Sequence, residues 1–557
     1  MDCKILIGGE AGQGIQTISN ILSKFFYRIG YFVFTIESYQ SRIRGGHNYS
    51  LIRVSDVPIY AIDDEKINIL VALNSETIEL HKDQVKNSGH IICDESIKGD
   101  FSFEEMYKVP VRKIAQDVAK TRLVENTVIC GGLLGLVSGD LEEMRKVVSE
   151  SFKGEYVDMN IKALEAGYTY ALNINRRCGE FPKREREGRL IINGGEAVGF
   201  GAIVAGCKFL ASYPMTPGTA VMNFLAEHET DFDIVVEQAE DEIAAINMAI
   251  GSFFAGARSM VTTSGGGFAL MVEGLSLAGM TETPVVIHVA QRPGPATGLP
   301  TRTEQADLNF VIHAGHGEFP RYVTAPRDQK DAYYKTIKAF EMAEKYQVPA
   351  IVLTDQYLID SKAVIDSLHV PEIRYYRVLG DENYLRHKIT EDGISPFAIP
   401  GEFEGFVITD SDEHDEEGHI TEDLNIRKRM VEKRLRKKLA LMKDIEEPIY
   451  FGVDDPKVVF IGWGSTYGVI REAISNLLKE GYEIGHLHFS DVYPLPTKTL
   501  NNLKDKKLYT IEGNYEGQLA SLIRKEACVK VEKGIVKYNG MPFFVEEIMK
   551  GVKEIMG

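Results

Sequence analysis

The chain has 557 residues, 44% of them hydrophobic, and a formal net charge of -18. That length sets a prior of about three or four domains and supplies enough apolar material for several cores. The acidic balance argues against non-specific nucleic-acid binding and against an anionic membrane surface, leaving proteins and small molecules as partners.

The amino terminus, Met1-Asp-Cys-Lys-Ile-Leu-Ile7, lacks the basic start, apolar run and cleavage site of a signal peptide. No stretch approaches 18 uninterrupted apolar residues, so no transmembrane helix is expected. The six cysteines (Cys3, Cys93, Cys130, Cys178, Cys207, Cys528) are scattered, with no C-x-x-C pair. This predicts reduced thiols in a cytoplasmic protein, with no local zinc or iron–sulfur motif and no metal site on this chain.

Residues 4–7 read as a short apolar strand, followed by the glycine turn Gly8-Gly-Glu-Ala-Gly-Gln-Gly14 and a helical pattern through Thr17, Ile18, Ile21, Leu22 and Phe25. Residues 31–36 read as a second strand, giving a βαβ opening. Backbone N–H groups at such a helix start suit an anion, and Glu37 stands where a ribose-binding acid would sit. The glycines at 8, 9, 12 and 14 miss the G-x-G-x-x-G spacing, so a tight strand-to-helix turn explains the same residues. Arg42 and Arg44, beside Gly45-Gly46, suit phosphates through charge-assisted bonds, or form a solvated basic loop. Strands at 69–73 and 90–93 and largely helical residues 126–167 complete a first domain. A polar, charged run at 175–188 reads as a linker.

Alternation then resumes: strand 233–236, helix 240–254, strand 259–263, helix 268–280, strand 284–290, the pattern of a parallel sheet covered by helices. The stretch from about 380 to 455 is irregular, then charged and helical (425–445), with the acidic turn Asp412-Glu-His-Asp-Glu-Glu417. A last α/β block begins with the strand 458–462.

Four segments of this second half carry chemistry. Tyr213-Pro-Met-Thr-Pro217 fixes the backbone between two prolines and presents the Thr216 hydroxyl just before a helix; a simple helix-start turn is the alternative. Glu237-Gln-Ala-Glu-Asp-Glu242 places four acids where a strand meets an almost wholly apolar helix. Acids there favour the helix dipole, but burial also takes one carboxyl towards low dielectric, where it can share a proton with a cofactor nitrogen. Thr262-Thr-Ser-Gly-Gly-Gly267 is a backbone cradle with hydroxyls. Gln291–Gln305, with three prolines and two glycines, is a stiff loop carrying Arg292 and Arg302, suited to clamping a carboxylate or to an internal ion pair with Glu304 or Asp307.

Together these segments resemble the 2-oxoacid:ferredoxin oxidoreductase family, in the order gamma then alpha. Gly8–Gly14 and Arg44-Gly-Gly46 are similar to the gamma domain. Tyr213-Pro-Met-Thr-Pro217 resembles the alpha subunit's Y-P-[IM]-T-P motif. The segments 238–267, Gly298–Gln305, Asp412–Gly418, Tyr493-Pro-Leu-Pro496 and Glu512–Gln518 are similar to the same subunit.

The resemblance implies three α/β domains with mainly parallel sheets. They are a Rossmann-like gamma domain (1–178), a transketolase-like pyrimidine-binding domain (191–380) and a carboxyl-terminal transketolase-C-like domain (451–557), joined by a linker (179–190) and an irregular and helical connecting segment (381–450). It implies oxidative decarboxylation of a 2-oxoacid with coenzyme A to acyl-CoA and carbon dioxide, electrons passing to ferredoxin. 2-Oxoglutarate is the first expectation, with pyruvate and branched 2-oxoacids open. On the motif match, Glu242 bonds the aminopyrimidine of thiamine diphosphate, with Glu240 as the alternative. Thr216 donates to the 2-oxo group and Arg302 holds the substrate carboxylate. Tyr213 and Pro214 belong to the cofactor site, and Gly12, Gly14 and Arg44 to the coenzyme A side. The chain has no G-D-G followed by Asn and no cysteine set. A beta subunit is therefore expected to carry the diphosphate site, Mg2+ and a 4Fe–4S cluster, in an (alpha-beta)2 heterotetramer. A self-contained nucleotide-dependent oxidoreductase and a non-catalytic assembly subunit are the competing classes. Indolepyruvate enzymes of the same family typically carry ferredoxin-type cysteines that are absent here.

Overall fold

The computed structural model describes residues 1–41, 45–99, 106–174, 177–185 and 188–557; Arg42 and Arg44 lie outside the described residues. The chain divides into two compact units, Met1–Ile192 with Ser361–Ser367, and Asn193–Asp360 with Leu368–Gly557.

The first unit holds an eight-stranded sheet. From one edge its strands are Met106–Val109, Val85–Asp94, Ile67–Ala72, Asp2–Glu10, His47–Ser55, Phe32–Ser38, Lys362–Asp366 and Arg189–Asn193. The expected βαβ opening is present, with helix Ile15–Arg28 joining two strands that run the same way. They are not neighbours, because His47–Ser55 inserts antiparallel between them, so this sheet is mixed. The strands from Asp2–Glu10 to Met106–Val109 pair in parallel. Ile5, Ile7, Ile18, Leu22, Phe25, Ile52 and Val71 form the core against helices Glu125–Leu136 and Tyr156–Leu172. Those two helices cross closely because glycine stands at the crossing. A Cβ on Gly131 would lie 2.1 Å from the Leu164 carbonyl oxygen, and one on Gly167 2.2 Å from that of Val128.

The second unit contains the expected parallel sheet of seven strands, in the order Asp491–Tyr493, Tyr322–Thr324, Pro349–Asp355, Val285–Gln291, Ser259–Thr263, Phe209–Ser212 and Val235–Gln238. Only Asp491–Tyr493 runs antiparallel. Ile287, Val289, Ile351 and Leu353 make its strands apolar on both faces, as a sheet buried under helices requires. A five-stranded sheet (Ile449–Gly452, Ile484–Phe489, Val458–Trp463, Lys507–Glu512, Glu532–Val536) lies in the same unit, and the two share one hydrophobic core through Trp463, Leu487, Phe489, Val492 and Leu495.

Between these sheets, residues 368–423 form no helix or strand, and helix Leu424–Leu441 follows. What holds them is ionic. Glu282, buried and at φ 52°, pairs with Lys433 and Lys437 from that helix and with His387. Glu413 of the acidic turn accepts from Arg434 at 2.7 Å. The acidic turn is thus a strap, anchored to a basic helix.

Candidate functional site

Loops at the carboxyl ends of parallel strands are where open α/β sheets bind ligands. Here those ends carry the segments singled out from the sequence. The Ser212 hydroxyl closes the strand Phe209–Ser212 by donating to the Thr262 carbonyl at 2.6 Å. Beyond it Tyr213 and Pro214 are exposed, Thr216 is half-buried and Gly218 buried. The Thr262 hydroxyl donates to the Gly218 carbonyl at 3.0 Å, so it accepts from His288 Nδ1 at 2.8 Å. His288 Nε2 then accepts from the Thr354 hydroxyl at 2.8 Å. Burial pushes His288 down to about 3, so this rail beneath the site is neutral.

Glu242 is the first residue of the helix Glu242–Phe254, which Asp241 caps by accepting from the Ala244 N–H at 2.7 Å. The capping explains why the helix begins at 242 rather than 240. It also divides the acids: Glu237 and Glu240 are exposed, whereas Glu242 is 3% exposed. Its Oε1 is buried with no hydrogen-bond partner, as is the Ser264 hydroxyl beside it in sequence to the glycine turn. Buried polar atoms are almost always paired, so an orphaned carboxylate oxygen points to a missing donor. Gly267 admits it: a Cβ there would lie 2.6 Å from Glu242 Oε1 and 2.1 Å from Thr263 Oγ1.

The stiff loop Gln291–Gln305 splits its two arginines. Arg292 Nη1 donates to the Thr216 carbonyl at 2.7 Å. Arg302 lies against the carboxyl-terminal block, its Nη1 3.9 Å from Met541 Sδ and its Cβ 3.1 Å from where a Cβ of Gly540 would stand. Gln305 pins the loop's end. It donates to the Trp463 carbonyl, accepts from the Gly513 N–H at 2.9 Å and offers its own carbonyl to Asn514. Asp307, which no sequence signal singled out as a site residue, packs on the glycine turn, its Oδ2 2.2 Å from where a Gly265 Cβ would stand. Burial, against the pull of Arg292, pushes its carboxyl up to about 6. Burial and then Asp307 raise Glu304 as well.

In the first unit, Gly12 (φ 92°) and Gly14 (φ 77°) adopt left-handed conformations at the start of helix Ile15–Arg28. A cleft of about 400 Å³ opens there, lined by Gly12, Gln13, Leu73, Arg112, Arg122 and Asn126 among others. Glu37 does not line it and accepts from Gln16 at 2.9 Å instead, so the ribose-acid expectation is corrected; the inserted strand His47–Ser55 separates Glu37's strand from the glycine turn's. All six cysteines are free. Among the described residues one group has metal-ligand spacing, Glu282, His387 and His414, but Glu282 already carries two lysine cations.

Three family models match the chain: "Pyruvate ferredoxin/flavodoxin oxidoreductase" over residues 4–170, "Pyruvate flavodoxin/ferredoxin oxidoreductase, thiamine diP-bdg" over 200–433, and "Pyruvate:ferredoxin oxidoreductase core domain II" over 456–548. A 2-oxoacid:ferredoxin oxidoreductase subunit alpha from Sulfolobus sp is 34% identical over 99% of this chain and 96% of its own length. The 2-oxoglutarate oxidoreductase subunit KorA of Mycobacterium tuberculosis is 28% identical over 99% of this chain and 91% of that protein. Among solved structures, the 2-oxoglutarate:ferredoxin oxidoreductase from Magnetococcus marinus, with 2-oxoglutarate, coenzyme A and succinyl-CoA bound, superposes with a TM-score of 0.91 at 32% identity, covering all of both chains.

Proposed function

Because this chain belongs to the 2-oxoacid:ferredoxin oxidoreductase family as an alpha subunit, we propose that it supplies the pyrimidine half of a shared thiamine-diphosphate site and the seat of the 2-oxoacid. The observation that carries this reading is the buried, unpartnered Oε1 of Glu242 above Gly267. A ring nitrogen of the aminopyrimidine fits that orphan. Bound thiamine diphosphate supplies the carbanion and the electron sink that decarboxylation needs.

The chain's own residues do the rest. Glu242 holds the proton of the ring nitrogen and so favours the imino form, with exposed Tyr213 and Pro214 walling the ring. The Thr216 hydroxyl donates to the substrate's 2-oxo oxygen. Arg292, already bonded to the Thr216 carbonyl, is the guanidinium best situated for the carboxylate next to that ketone, and Arg302 guards the same loop from the other end. A planar fork suits a carboxylate better than a lysine's point charge. In the first unit, the cleft at Gly12 and Gly14, with Arg112 and Arg122 on its wall, receives coenzyme A; Arg44 belongs to that reading.

The substrate is 2-oxoglutarate, supported by the ligands of the Magnetococcus enzyme and the name of the mycobacterial relative. A beta subunit brings the diphosphate site, Mg2+ and a 4Fe–4S cluster, and ferredoxin takes the electrons, in an (alpha-beta)2 assembly in the cytoplasm. No described helix is long and apolar enough to cross a membrane. Purification of the chain with its beta subunit, followed by mass spectrometry of acyl-CoA formed from a panel of 2-oxoacids, tests the proposal. Succinyl-CoA is expected as the main product. Another acyl-CoA would reassign the substrate, and none at all would defeat the reading.

A further inference from the structure

The Gly265–Gly267 turn has a carboxyl on each flank. Glu242 covers Gly267, and Asp307 covers Gly265 so closely that no side chain fits between them. The first carboxyl has a role in the reading above, and the second has none. We propose that Asp307 takes up a proton when the carboxylate of the 2-oxoacid binds beside Arg292, and releases it when that carboxylate is lost as neutral carbon dioxide, its bonding electron pair passing to the cationic thiazolium.

The inference rests on the assignment of Arg292 and Thr216 to the substrate. Arg292 reaches the site from the loop after Val285–Gln291 and engages the Thr216 carbonyl through Nη1. It is also the cation that acts on Asp307. Glu304, three residues earlier on the same loop, is raised by burial and then by the Asp307 charge. The turn Ser264–Phe268 brings no titratable side chain. Helix Glu242–Phe254 brings Glu242, and in helix Leu308–His313 the one titratable side chain, His313, is engaged by the Asn309 carbonyl and Lys525. The Arg292 guanidinium therefore already acts on one carboxyl, Asp307, before any ligand arrives.

A substrate carboxylate adds a third negative charge. At roughly 5 Å and an effective dielectric of about 20, a like charge raises a carboxyl by about two pH units. Asp307 starts at about 6. At pH 7 it then passes from mostly ionised to mostly protonated on binding, an uptake of about 0.8 proton per site. At pH 5 it is protonated beforehand, and the uptake falls to about 0.1. Once protonated, Asp307 no longer competes for Arg292, and the guanidinium is left to the substrate. Decarboxylation releases neutral carbon dioxide and moves the negative charge from beside Arg292 onto the cationic thiazolium, where it is neutralised, so the charge that held the proton is gone from beside Asp307.

The test uses the holoenzyme with its beta subunit and two unreactive anions, oxamate and N-oxalylglycine, each with a carboxylate next to a carbonyl. Calorimetry in two buffers of different ionisation enthalpy counts protons. Wild type is expected to take up about 0.8 at pH 7 and about 0.1 at pH 5, and Asp307→Asn to bind with almost none at either. A merely structural Asp307 would alter affinity or melting but leave the count unchanged in the variant, and that result overturns the inference. Should the variant not fold, wild-type inhibition alone decides. The Ki of either anion is expected to rise about fivefold per pH unit between about 6 and 8 and to be nearly flat below about 5; a Ki flat throughout overturns the inference. Wild-type enzyme that turns over 2-oxoacids yet binds neither anion, or binds them equally after Arg292→Ala, would instead defeat the substrate seat itself.

Discussion

Glu242→Gln separates chemistry from folding more cleanly than any other change in this chain. The substitution keeps the shape of a side chain that is 3% exposed, first in its helix and packed on Gly267. It removes only the proton-holding oxygen. Positioned acid–base groups contribute on the order of 10²–10⁴-fold, so hydrogen exchange at the thiazolium carbon of the reconstituted complex should slow by that factor. Stability should move the other way. Glu242 Oε1 is buried without a partner, and an unsatisfied buried polar group costs about 1–3 kcal/mol, more if charged. Replacing the carboxylate with a neutral amide should leave the cofactor-free complex unchanged or more stable, a rise in Tm of up to several degrees at about 2–4 °C per kcal/mol. Deuterium exchange at the thiazolium carbon and a melting scan without cofactor are the assays. Exchange within about threefold of wild type, far inside the expected loss, would refute the role. A Tm that falls while exchange collapses would show that Glu242 holds the helix start and acts on the ring only indirectly.

Three further outcomes are expected. Arg292→Lys should lower kcat/KM by roughly 10- to 150-fold, the value of a hydrogen bond to a charged group at about 1.5–3 kcal/mol, and Arg302→Lys by less; steady-state kinetics with two 2-oxoacids ranks them, and the reverse order would move the clamp to Arg302. Gly12→Val should raise the KM for coenzyme A more than that for the 2-oxoacid, since Gly12 lines the cleft and a Cβ there meets nothing within 4 Å, although φ 92° strains any side chain at that position; equal effects would mean that the turn serves folding alone. Glu282→Gln leaves Lys433 and Lys437 buried without their counter-charge and should destabilise the second unit by about 3–5 kcal/mol. Against burial, which pushes it up, the Lys433 and Lys437 cations hold the Glu282 carboxyl well below the usual carboxylate range, so its contribution is complete above that range and is lost as pH falls through the lower folded-state value. Denaturation of wild type and variant should therefore show a gap that is still present at pH 5 and closes only in stronger acid.

Much of the second unit was legible because its signals are local. The strand Ser259–Thr263 has the bounds its apolar run implies, and the helix after Glu242 follows from Asp241 as a cap and an apolar run behind it. The stretch 368–423 reads as irregular because what ties it to the helix after it is ion pairing, Glu413 with Arg427 and Arg434 and Glu416 with Arg429, which leaves no periodicity. Long-range pairing was not legible. Nothing in residues 47–55 announces insertion between two earlier elements, since register is set by partners distant in sequence. Within the site, the divergence of Arg292 and Arg302 and the approach of Asp307 to Gly265 depend on Gln305 being fixed by Trp463 and Gly513, contacts more than 150 residues away.

The strand Lys362–Asp366 lies between Phe32–Ser38 and Arg189–Asn193 in the first sheet. That sheet is therefore a mosaic of two distant stretches of message. When the ribosome has made residue 193, the nascent sheet still has an open seam along Phe32–Ser38, and its last strand has nothing to pair with. At about 5–20 residues per second the missing strip arrives on the order of 10–35 s later. During that interval an unpaired edge is offered to any passing chain. Arg184 and Arg189, charged and beside that seam in sequence, are suited to keep such visitors off. A genetic split at 192 would make the seam permanent unless residues 361–367 were supplied as a separate peptide.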